Sequence, residues 1–323
     1  MKAITQDRYG EAEVLTLSEI PRPEIGANEV LVRVAAAGLD QGVWHLMSGI
    51  PTMMRLGTGR HAPKQPVSGT DVAGTIEQVG ANVTGFAPGD QVYGIATGTF
   101  AEFARANPKK LTRMPANLTT AQAAAVPISG VTALQAVRGR IHPGDRVLVL
   151  GAAGGVGSFV VQLAKHFGGE VPAVASAAKH DFVRELGADH VHDYRDGDPV
   201  GPFELIVDTG GNRSNATLKG MLTPTGTAVL VGGEGGGGDF LAGFERQIFA
   251  LLPSPFSKKS VEGLVSAVKL PDLLELTELI EAGTITPAID SVYPLAEAAD
   301  AMRHLRAGAV RGKVVISVAP LAE

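Results

Sequence analysis

The chain contains no cysteine among its 323 residues. Disulfides, iron–sulfur clusters and zinc sites built on thiolates are therefore excluded, because each of them needs cysteine sulfur. Aromatic residues are also scarce, at 5% of the sequence, whereas apolar residues of all types reach 45%. A sizeable core is available, and it must be built mainly from valine, alanine, leucine and isoleucine.

Positive charge is not concentrated in any part of the chain. The formal net charge is −5 at pH 7 and no basic block occurs, which argues against nucleic acid or an anionic membrane as the main partner. No apolar run approaches the ~20 residues that a membrane-spanning helix needs. Residues 1–6 lack the apolar stretch of a secretion signal and predict a first strand. We expect a soluble, cytoplasmic protein.

The length predicts about two domains, and the texture of the sequence changes along it. The first ~120 residues show short strand-like segments separated by turn signals such as 26–28 and 88–90. From Arg146 onward strands alternate with helices, which predicts a parallel sheet with helical crossovers on both faces. The predicted strands are 147–150, 171–175, 205–208, 228–231 and 263–268, and the helices among them are 156–167 and 179–186.

The C-terminal segment does not continue this alternation. It predicts helices at 271–282 and 295–306 and a last strand at 313–318. We expect these elements to pack on the N-terminal domain. The predicted boundaries are therefore 1–124 with 271–323 for one domain and 125–270 for the other.

The segment Gly151-Ala152-Ala153-Gly154-Gly155-Val156-Gly157, here named the glycine turn, follows one predicted strand and precedes a helix. This is the setting of a dinucleotide-binding turn. Gly154 and Gly155 allow close approach of a pyrophosphate, Gly157 allows the helix to lie close to the sheet, and the helix N-terminus offers free N–H groups. Ala152 replaces the first glycine of the usual motif. The alternative is a tight strand–helix turn that binds no ligand.

The end of the next predicted strand bears on the choice of cofactor. Folds specific for NAD place an acidic residue there to bind the ribose 2′-hydroxyl, but residues 174–179 contain none. Ser176 can donate a hydrogen bond and Lys179 supplies a positive charge, which favours NADPH over NADH. The alternative for Lys179 is a solvated lysine at the start of a helix.

Four further motifs occur in a characteristic order. Residues 67–74 are similar to a P-G-x-D-x-A-G segment, 86–94 to F-x-P-G-D-x-V-x-G, 127–133 to P-x-x-x-x-T-A, and 311–315 to a closing strand. Over nearly its whole length the sequence resembles the medium-chain dehydrogenase/reductases, in their zinc-independent quinone oxidoreductase and enone reductase branch. The resemblance implies an α/β protein with a GroES-like β-rich catalytic domain and a Rossmann domain with a doubly wound parallel sheet. It also implies an active site in the cleft between the domains and a homodimer built partly by the Rossmann sheets.

The cofactor-binding residues are expected along one edge of the parallel sheet. Ligands bind outside the carboxyl ends of parallel strands, so residues 207–211 and 231–233 should meet the ribose and nicotinamide. Tyr194 follows a third strand and is expected near the adenosine 2′-phosphate, while the resemblance places Thr132 near the nicotinamide. The full predicted set is Thr132, Ala153, Gly154, Gly155, Val156, Ser176, Lys179, Tyr194, Thr209, Gly210, Val231, Gly232 and Gly233.

Three residues are candidates for catalysis. Asp40 stands where the family usually has Asn lining the nicotinamide pocket, although an aspartate after a strand is equally a good helix N-cap. His45 is a candidate proton donor or a packing histidine. Tyr93 either faces the cleft or packs in the core.

Metal ligands of the zinc branch are missing, because Asp40, Thr70 and Ile128 stand at or near its ligand positions. Asp40, His45 and Asp71 offer an alternative oxygen and nitrogen set, but their spacing follows no ligand pattern. We therefore expect no metal. Without a Lewis acid nothing stabilises an alkoxide, whereas an enone needs only hydride, a hydrogen bond to the enolate and a proton.

These observations predict an NADPH-dependent reductase of an apolar quinone or α,β-unsaturated carbonyl compound. The alternatives are an alcohol dehydrogenase with an atypical metal site, and an NADPH-binding protein with little catalysis. Residues 235–255 are expected to form a mobile substrate loop. The phenylalanines in and beside it, which are Phe240, Phe244, Phe249 and Phe256, indicate either an apolar substrate or a dimer contact.

Overall fold

A computed structural model describes residues 1–232, 238–250 and 258–319. The chain forms two compact units. The first combines Met1–Val131 with the segment that starts at Ala267, and the second is Thr132–Ser266. The units therefore change at 131/132 and 266/267, where the sequence predicted boundaries at 124/125 and 270/271.

Strands dominate the first unit. They are β1 (Lys2–Thr5), β2 (Thr16–Glu19), β3 (Val30–Leu39), β4 (Asp71–Val79), β5 (Gln91–Ile95), β6 (Phe103–Ala106), β7 (Leu111–Arg113), β14 (Ile289–Pro294) and β15 (Lys313–Ser317). Those of the second unit are β8 (Val147–Leu150), β9 (Pro172–Ala175), β10 (His190–Asp193), β11 (Phe203–Asp208), β12 (Leu222–Leu230) and β13 (Ser260–Gly263).

The α-helices of the described residues are short to medium in length. They are α1 (Gln41–Ser48), α2 (Arg55–Thr58), α3 (Thr120–Ala124), α4 (Pro127–Val137), α5 (Gly155–His166), α6 (His180–Glu185), α7 (Asn215–Met221), α8 (Glu245–Ala250), α9 (Leu270–Glu281) and α10 (Ala298–Arg306). Within this part of the chain no helix has the length and apolar character needed to span a membrane.

The first unit is built around a mainly antiparallel sheet with the strand order β14-β15-β3-β4-β5-β7, and β6 pairs with β3. Among its described strands, β14 and β15 run parallel to each other and the other pairs are antiparallel. Alternate residues of β3, namely Val30, Val32 and Val34, are buried to 1% exposure or less. The register sets Val314 of β15 opposite Leu39 at the end of β3, which brings the start of β15 beside the start of α1.

The described part of the second unit contains a six-stranded parallel sheet with the order β10-β9-β8-β11-β12-β13. All four residues of β8 are buried, as expected of a strand covered on both faces. The order reverses at β8, so β9 and β11 leave it in opposite directions, which is where ligands bind in such sheets. The predicted α/β class, with a β-rich unit and a Rossmann-like parallel sheet, is confirmed.

The structure differs from the predicted strands at two places in the C-terminal half of the chain. The strand predicted at 263–268 lies at Ser260–Gly263 instead, and β14 was not predicted. Every residue of β14 is half-buried or exposed. A strand without a buried face does not need the apolar alternation that marks a strand in a sequence. The helix predicted from 179 begins at His180, after a 3-10 turn over Ala177–Lys179.

Candidate functional site

The glycine turn is held by backbone geometry that only glycine permits at two positions. Gly151 has φ +78°, and a Cβ there would lie 2.6 Å from the hydroxyl oxygen of Thr209. That hydroxyl donates to the carbonyl of Leu150 at 2.7 Å. A Cβ on Gly157 would lie 2.2 Å from the carbonyl oxygen of Gly151. These glycines therefore let α5 begin directly against the end of β8.

The same turn fits the pyrophosphate of a dinucleotide. Gly154 is the N-cap of α5 and no side chain caps the helix, so its first N–H groups lack helical partners and attract an anion. A Cβ on Gly154 would meet only the carbonyl of Gly151, at 3.4 Å. Ala153 is buried, while Gly155 and Val156 are half-buried at the same helix start.

Several predicted cofactor residues lie together at the carboxyl ends of β11 and β12. Thr209 and Gly210 directly follow β11, and Val231 and Gly232 follow β12, which pairs with β11 in parallel. Gly233 lies outside the described residues, and so does part of the predicted loop 235–255. Thr132 is buried on α4 at 6% exposure.

A buried ion pair, which the sequence analysis missed, organises this edge. The carboxylate of Asp208 accepts hydrogen bonds from the backbone N–H groups of Gly210 at 3.1 Å and Gly211 at 2.9 Å. Its other oxygen lies 2.6 Å from Nη2 of Arg246 on α8. The aspartate at the end of an apolar strand was a readable signal for Asp208, but nothing local in the sequence pointed to Arg246.

The predicted 2′-phosphate residues surround the ends of β9 and β10. Ser176 follows β9 and makes no capping hydrogen bond with the 3-10 turn that contains Lys179. Tyr194 follows β10 and is 55% exposed. Arg195, which was not predicted, is exposed beside Tyr194 and places its guanidinium 5.7 Å from that ring.

An acidic residue also lies at this corner, outside the segment 174–179. Asp193 ends β10 opposite Ala175 of β9. Its carboxylate accepts the backbone N–H of Ala177 at 3.0 Å and that of Arg195 at 3.0 Å, and pairs with the Arg195 guanidinium at 3.1 Å. The backbone N–H of Arg195, with its guanidinium and the N–H of Ala177, lowers the pKa of Asp193. The negative charge of Asp193 is thus balanced by the Arg195 guanidinium and by two backbone N–H groups.

A buried charge cluster, formed by Asp40, Asp71 and Lys313, lies in the first unit. Asp71 is 0% exposed at the start of β4 and Lys313 is 1% exposed at the start of β15. The Nζ atom of Lys313 lies 3.4 Å from Oδ2 of Asp71 and 3.6 Å from Oδ2 of Asp40. Gly38 makes room for the cluster, because a Cβ there would lie 2.8 Å from Oδ2 of Asp71.

Asp71 is the titratable member of this cluster near neutral pH. Burial raises the pKa of Asp71 to about 7, against the opposing effect of the Lys313 ammonium, and the neighbouring Asp40 raises it further. The backbone N–H of Ile128 donates to Oδ1 of Asp71 at 3.0 Å and favours the charged form. The sequence analysis named Asp71 only in the alternative metal-ligand set, and Lys313 was not predicted as a functional residue.

Asp40 is the N-cap of α1, which was one of its two predicted roles. Its Oδ1 accepts the N–H of Val43 at 3.2 Å. Its Oδ2 is buried without a hydrogen-bond partner among the described residues, and the Lys313 ammonium is its ion-pair partner. One oxygen of Asp40 therefore caps α1, and the other faces the Lys313 ammonium.

The other two catalytic candidates are placed differently. His45 is buried on α1, where its Nδ1 lies 2.6 Å from the carbonyl of Ile50 and its ring meets Trp44 edge to face. Tyr93 is 0% exposed and its hydroxyl donates to the carbonyl of Leu273 at 3.0 Å. Burial raises the pKa of Tyr93 to about 12. This geometry favours the packing role of Tyr93. Its catalytic role stays a prediction.

Comparison with known proteins agrees with this architecture. Residues 26–116 match the family described as "Alcohol dehydrogenase GroES-like domain", and residues 186–316 match "Zinc-binding dehydrogenase". The chain is 33% identical to the 2-methylene-furan-3-one reductase of Solanum lycopersicum, over 99% of this chain and 80% of that protein. It is 31% identical to a chloroplast envelope quinone oxidoreductase homolog of Arabidopsis thaliana, over 98% of both chains. The solved quinone oxidoreductase of Coxiella burnetii superposes with a TM-score of 0.83 at 28% identity, over 99% of both chains.

The chain belongs to the medium-chain dehydrogenase/reductase superfamily. Within it the chain falls in the zinc-independent quinone oxidoreductase-like branch. The predicted GroES-like domain is confirmed by the family match, and the Rossmann-like domain by the parallel sheet. The protein is an oxidoreductase that uses a nicotinamide cofactor.

The zinc in one family description does not fit the residues of this chain. Cysteine is absent from the sequence, and across residues 1–232, 238–250 and 258–319 no three His, Asp or Glu side chains are grouped to hold a metal. The two carboxylates that do approach each other, Asp40 and Asp71, share the Lys313 ammonium. The predicted alternative set of Asp40, His45 and Asp71 is therefore wrong, since His45 is not grouped with the two carboxylates.

Proposed function

We propose that the protein is an NADPH-dependent, metal-independent reductase that transfers hydride to a quinone or to the C=C bond of an α,β-unsaturated carbonyl. The observation that carries this proposal is the charge cluster, in which an ammonium group lies between two carboxylates at 3.4 and 3.6 Å. In zinc-dependent alcohol oxidation the metal stabilises the alkoxide, and this donor set is unsuited to holding a metal. The similar proteins named as quinone oxidoreductase and 2-methylene-furan-3-one reductase support the same substrate class.

The corner formed by β9 and β10 supports NADPH as the cofactor. Lys179 and Arg195 provide positive charge, and Ser176 provides a hydroxyl, beside the position that a ribose 2′-phosphate takes in this fold. Asp193 is the acidic residue here, and its oxygens are bound by Ala177 and Arg195. It is therefore not presented as a free acceptor for a 2′-hydroxyl, which is how NAD-specific folds use their acidic residue.

The residues of the chain are assigned binding and proton-handling roles. The dinucleotide supplies the hydride when it is bound. The glycine turn holds the pyrophosphate, and the edge formed by Thr209, Gly210 and Gly232 meets the nicotinamide half. Asp40, whose side chain is 12% exposed, is proposed to orient the acceptor or its water, while its Oδ2 is buried against the Lys313 ammonium. His45 is retained as the candidate proton donor.

The function is tested by following NADPH oxidation with a panel of quinones and enones, with and without a chelator. The proposal expects turnover of at least one acceptor class and no loss of rate on chelation. Loss of activity on chelation, or NADP⁺-dependent oxidation of simple alcohols, would instead identify an alcohol dehydrogenase. Tight NADPH binding without turnover of any acceptor would identify a binding protein.

A homodimer is also proposed, with the free edge of the parallel sheet as its contact. In the described part of the sheet β13 is an end strand, paired only with β12, and Val265 just beyond it is 88% exposed. Edge strands of this kind pair readily with another chain. Size-exclusion chromatography with light scattering tests this, since a monomeric mass at micromolar concentration would contradict it. A cytoplasmic location and the absence of nucleic-acid or membrane partners stay predictions.

A further inference from the structure

Lys313 is the most deeply buried cation among the residues that the structure describes, with 1% exposure. It begins β15 directly after Gly312, which has φ +88° and whose Cβ would lie 2.4 Å from the carbonyl of Ala288. The chain is thus turned at Gly312 so that the next side chain points into the unit. A buried ammonium is costly unless it is paired. The burial of Lys313 therefore depends on the carboxylates that lie beside it.

The two carboxylates meet Lys313 in the same way. Asp71 uses Oδ1 to accept the N–H of Ile128 and directs Oδ2 to the ammonium. Asp40 uses Oδ1 to accept the N–H of Val43 and also directs Oδ2 to the ammonium. Each carboxylate is therefore oriented by a backbone donor, and each offers one oxygen to a shared cation. This is how protein carboxylates are oriented around a bound metal ion.

The family name and the donor set disagree at this point. The match described as "Zinc-binding dehydrogenase" extends over residues 186–316 and includes Lys313, yet the sequence has no cysteine and the described residues hold no grouped ligand set for zinc. The position between Asp40 and Asp71 is still cationic, because the ammonium occupies it. Oδ2 of Asp40 has no hydrogen-bond partner in the described chain and is paired only by this charge.

We propose that Lys313 is the resident cation of this site, a tethered ammonium that takes the electrostatic place of a metal ion and closes the two carboxylates to divalent cations. The positioning of Asp40 by Lys313 during the reaction rests on the proposed function. The exclusion of divalent cations does not, since it follows from charge and space alone.

The test compares two variants that both remove the charge but differ in the space they leave. Lys313→Ala leaves both carboxylates and a vacancy between them, whereas Lys313→Met leaves the carboxylates and fills the vacancy. Thermal unfolding of the full chain is measured with and without Mn²⁺ or Zn²⁺. The proposal expects the metal to raise the Tm of Lys313→Ala by several degrees, and to leave the wild type and Lys313→Met unchanged.

A second variant confirms where the cation binds. Asp40→Asn added to Lys313→Ala should abolish the Tm increase, because one of the two carboxylates is lost. A wild-type protein stabilised by Mn²⁺ or Zn²⁺ through Asp40 and Asp71 would overturn the proposal. A folded Lys313→Ala that gains nothing from either metal would overturn it too, as would a Lys313→Ala that neither folds alone nor folds with these metals.

The role toward Asp40 is tested by kinetics in the wild type, Lys313→Arg and Lys313→Met. A positioning role for the charge predicts that Lys313→Arg keeps more of kcat than Lys313→Met, with similar KM for NADPH in all three. Equal loss of kcat in both variants would contradict it. If the wild type turns over no quinone or enone, the proposed function fails while the metal-binding result remains interpretable.

Discussion

Nη2 of Arg246 lies 2.6 Å from Oδ2 of Asp208, and this pair joins α8 to the carboxyl end of β11. The side chain of Asp208 is 1% exposed and that of Arg246 is 16% exposed. The other oxygen of Asp208 shapes the turn at Gly210 and Gly211. One buried carboxylate therefore fixes both the turn that follows β11 and a helix that is distant from it in sequence.

Replacing Asp208 with Asn should strongly destabilise the protein, although the two side chains have nearly the same size. The change leaves a mostly buried guanidinium without its counter-charge, a loss that costs about 3 kcal/mol or more. Denaturant unfolding followed by circular dichroism measures it. Asp181→Asn is the matched control, because both members of the Arg184–Asp181 pair are exposed, at 55% and 93%, and its loss should cost less than about 1 kcal/mol. Equal effects of the two substitutions would contradict the importance of burial at Asp208.

Asp71 should make the stability of the protein depend on pH. Its pKa rises from 3.8 to about 7 on folding, so between these values the folded state keeps a proton that the unfolded state has lost. The free energy of unfolding should therefore fall as pH rises across this window, by up to about 1.4 kcal/mol per pH unit, and level off above it. Asp71→Asn should lack this contribution. Parallel stability curves for wild type and variant between pH 4 and 7 would show that the shift is absent.

NADPH preference should depend on Lys179 and on Arg195. Lys179→Ala is expected to raise the Kd of NADPH roughly tenfold while leaving that of NADH nearly unchanged. Arg195→Ala should raise the Kd of NADPH by more than this and lower that of NADH, because it also removes the guanidinium that pairs with the Asp193 carboxylate beside the 2′-position. Fluorescence titration measures both constants. Lys165→Ala removes a lysine that pairs with Asp189 elsewhere in the same unit and serves as the control for net charge. An unchanged ratio of the two constants would refute the assignment.

The parts of the site that the sequence predicted are formed by consecutive residues or lie at the carboxyl ends of neighbouring parallel strands. β8, the glycine turn and α5 follow one another directly, so strand, turn and helix signals were sufficient. Lys313 and Asp71 are 242 positions apart, and their contact depends on the register of β15 against β3 and of β3 against β4. Arg246 was missed for the same reason, because it lies 38 positions from Asp208 in the sequence. The charge of a residue is visible in a sequence, whereas its burial beside a particular partner is set by tertiary packing.

Gly157→Ala should separate the steric demand of the glycine turn from ordinary helix propensity. A Cβ at this position would lie 2.2 Å from the backbone carbonyl of Gly151 and 2.8 Å from Cα of Ala152, so either α5 or the turn must shift. We expect a loss of about 1–3 kcal/mol in stability and weaker dinucleotide binding, because the helix N-terminus moves with the turn. Gly220→Ala is the matched control, since Gly220 also lies in a helix but has nothing within 4 Å of its Cβ position. Alanine there should stabilise by up to about 1 kcal/mol through helix propensity and leave NADPH binding unchanged. If the two alanine variants unfold at the same temperature and bind NADPH equally well, close contact between α5 and the end of β8 is not what requires glycine at position 157.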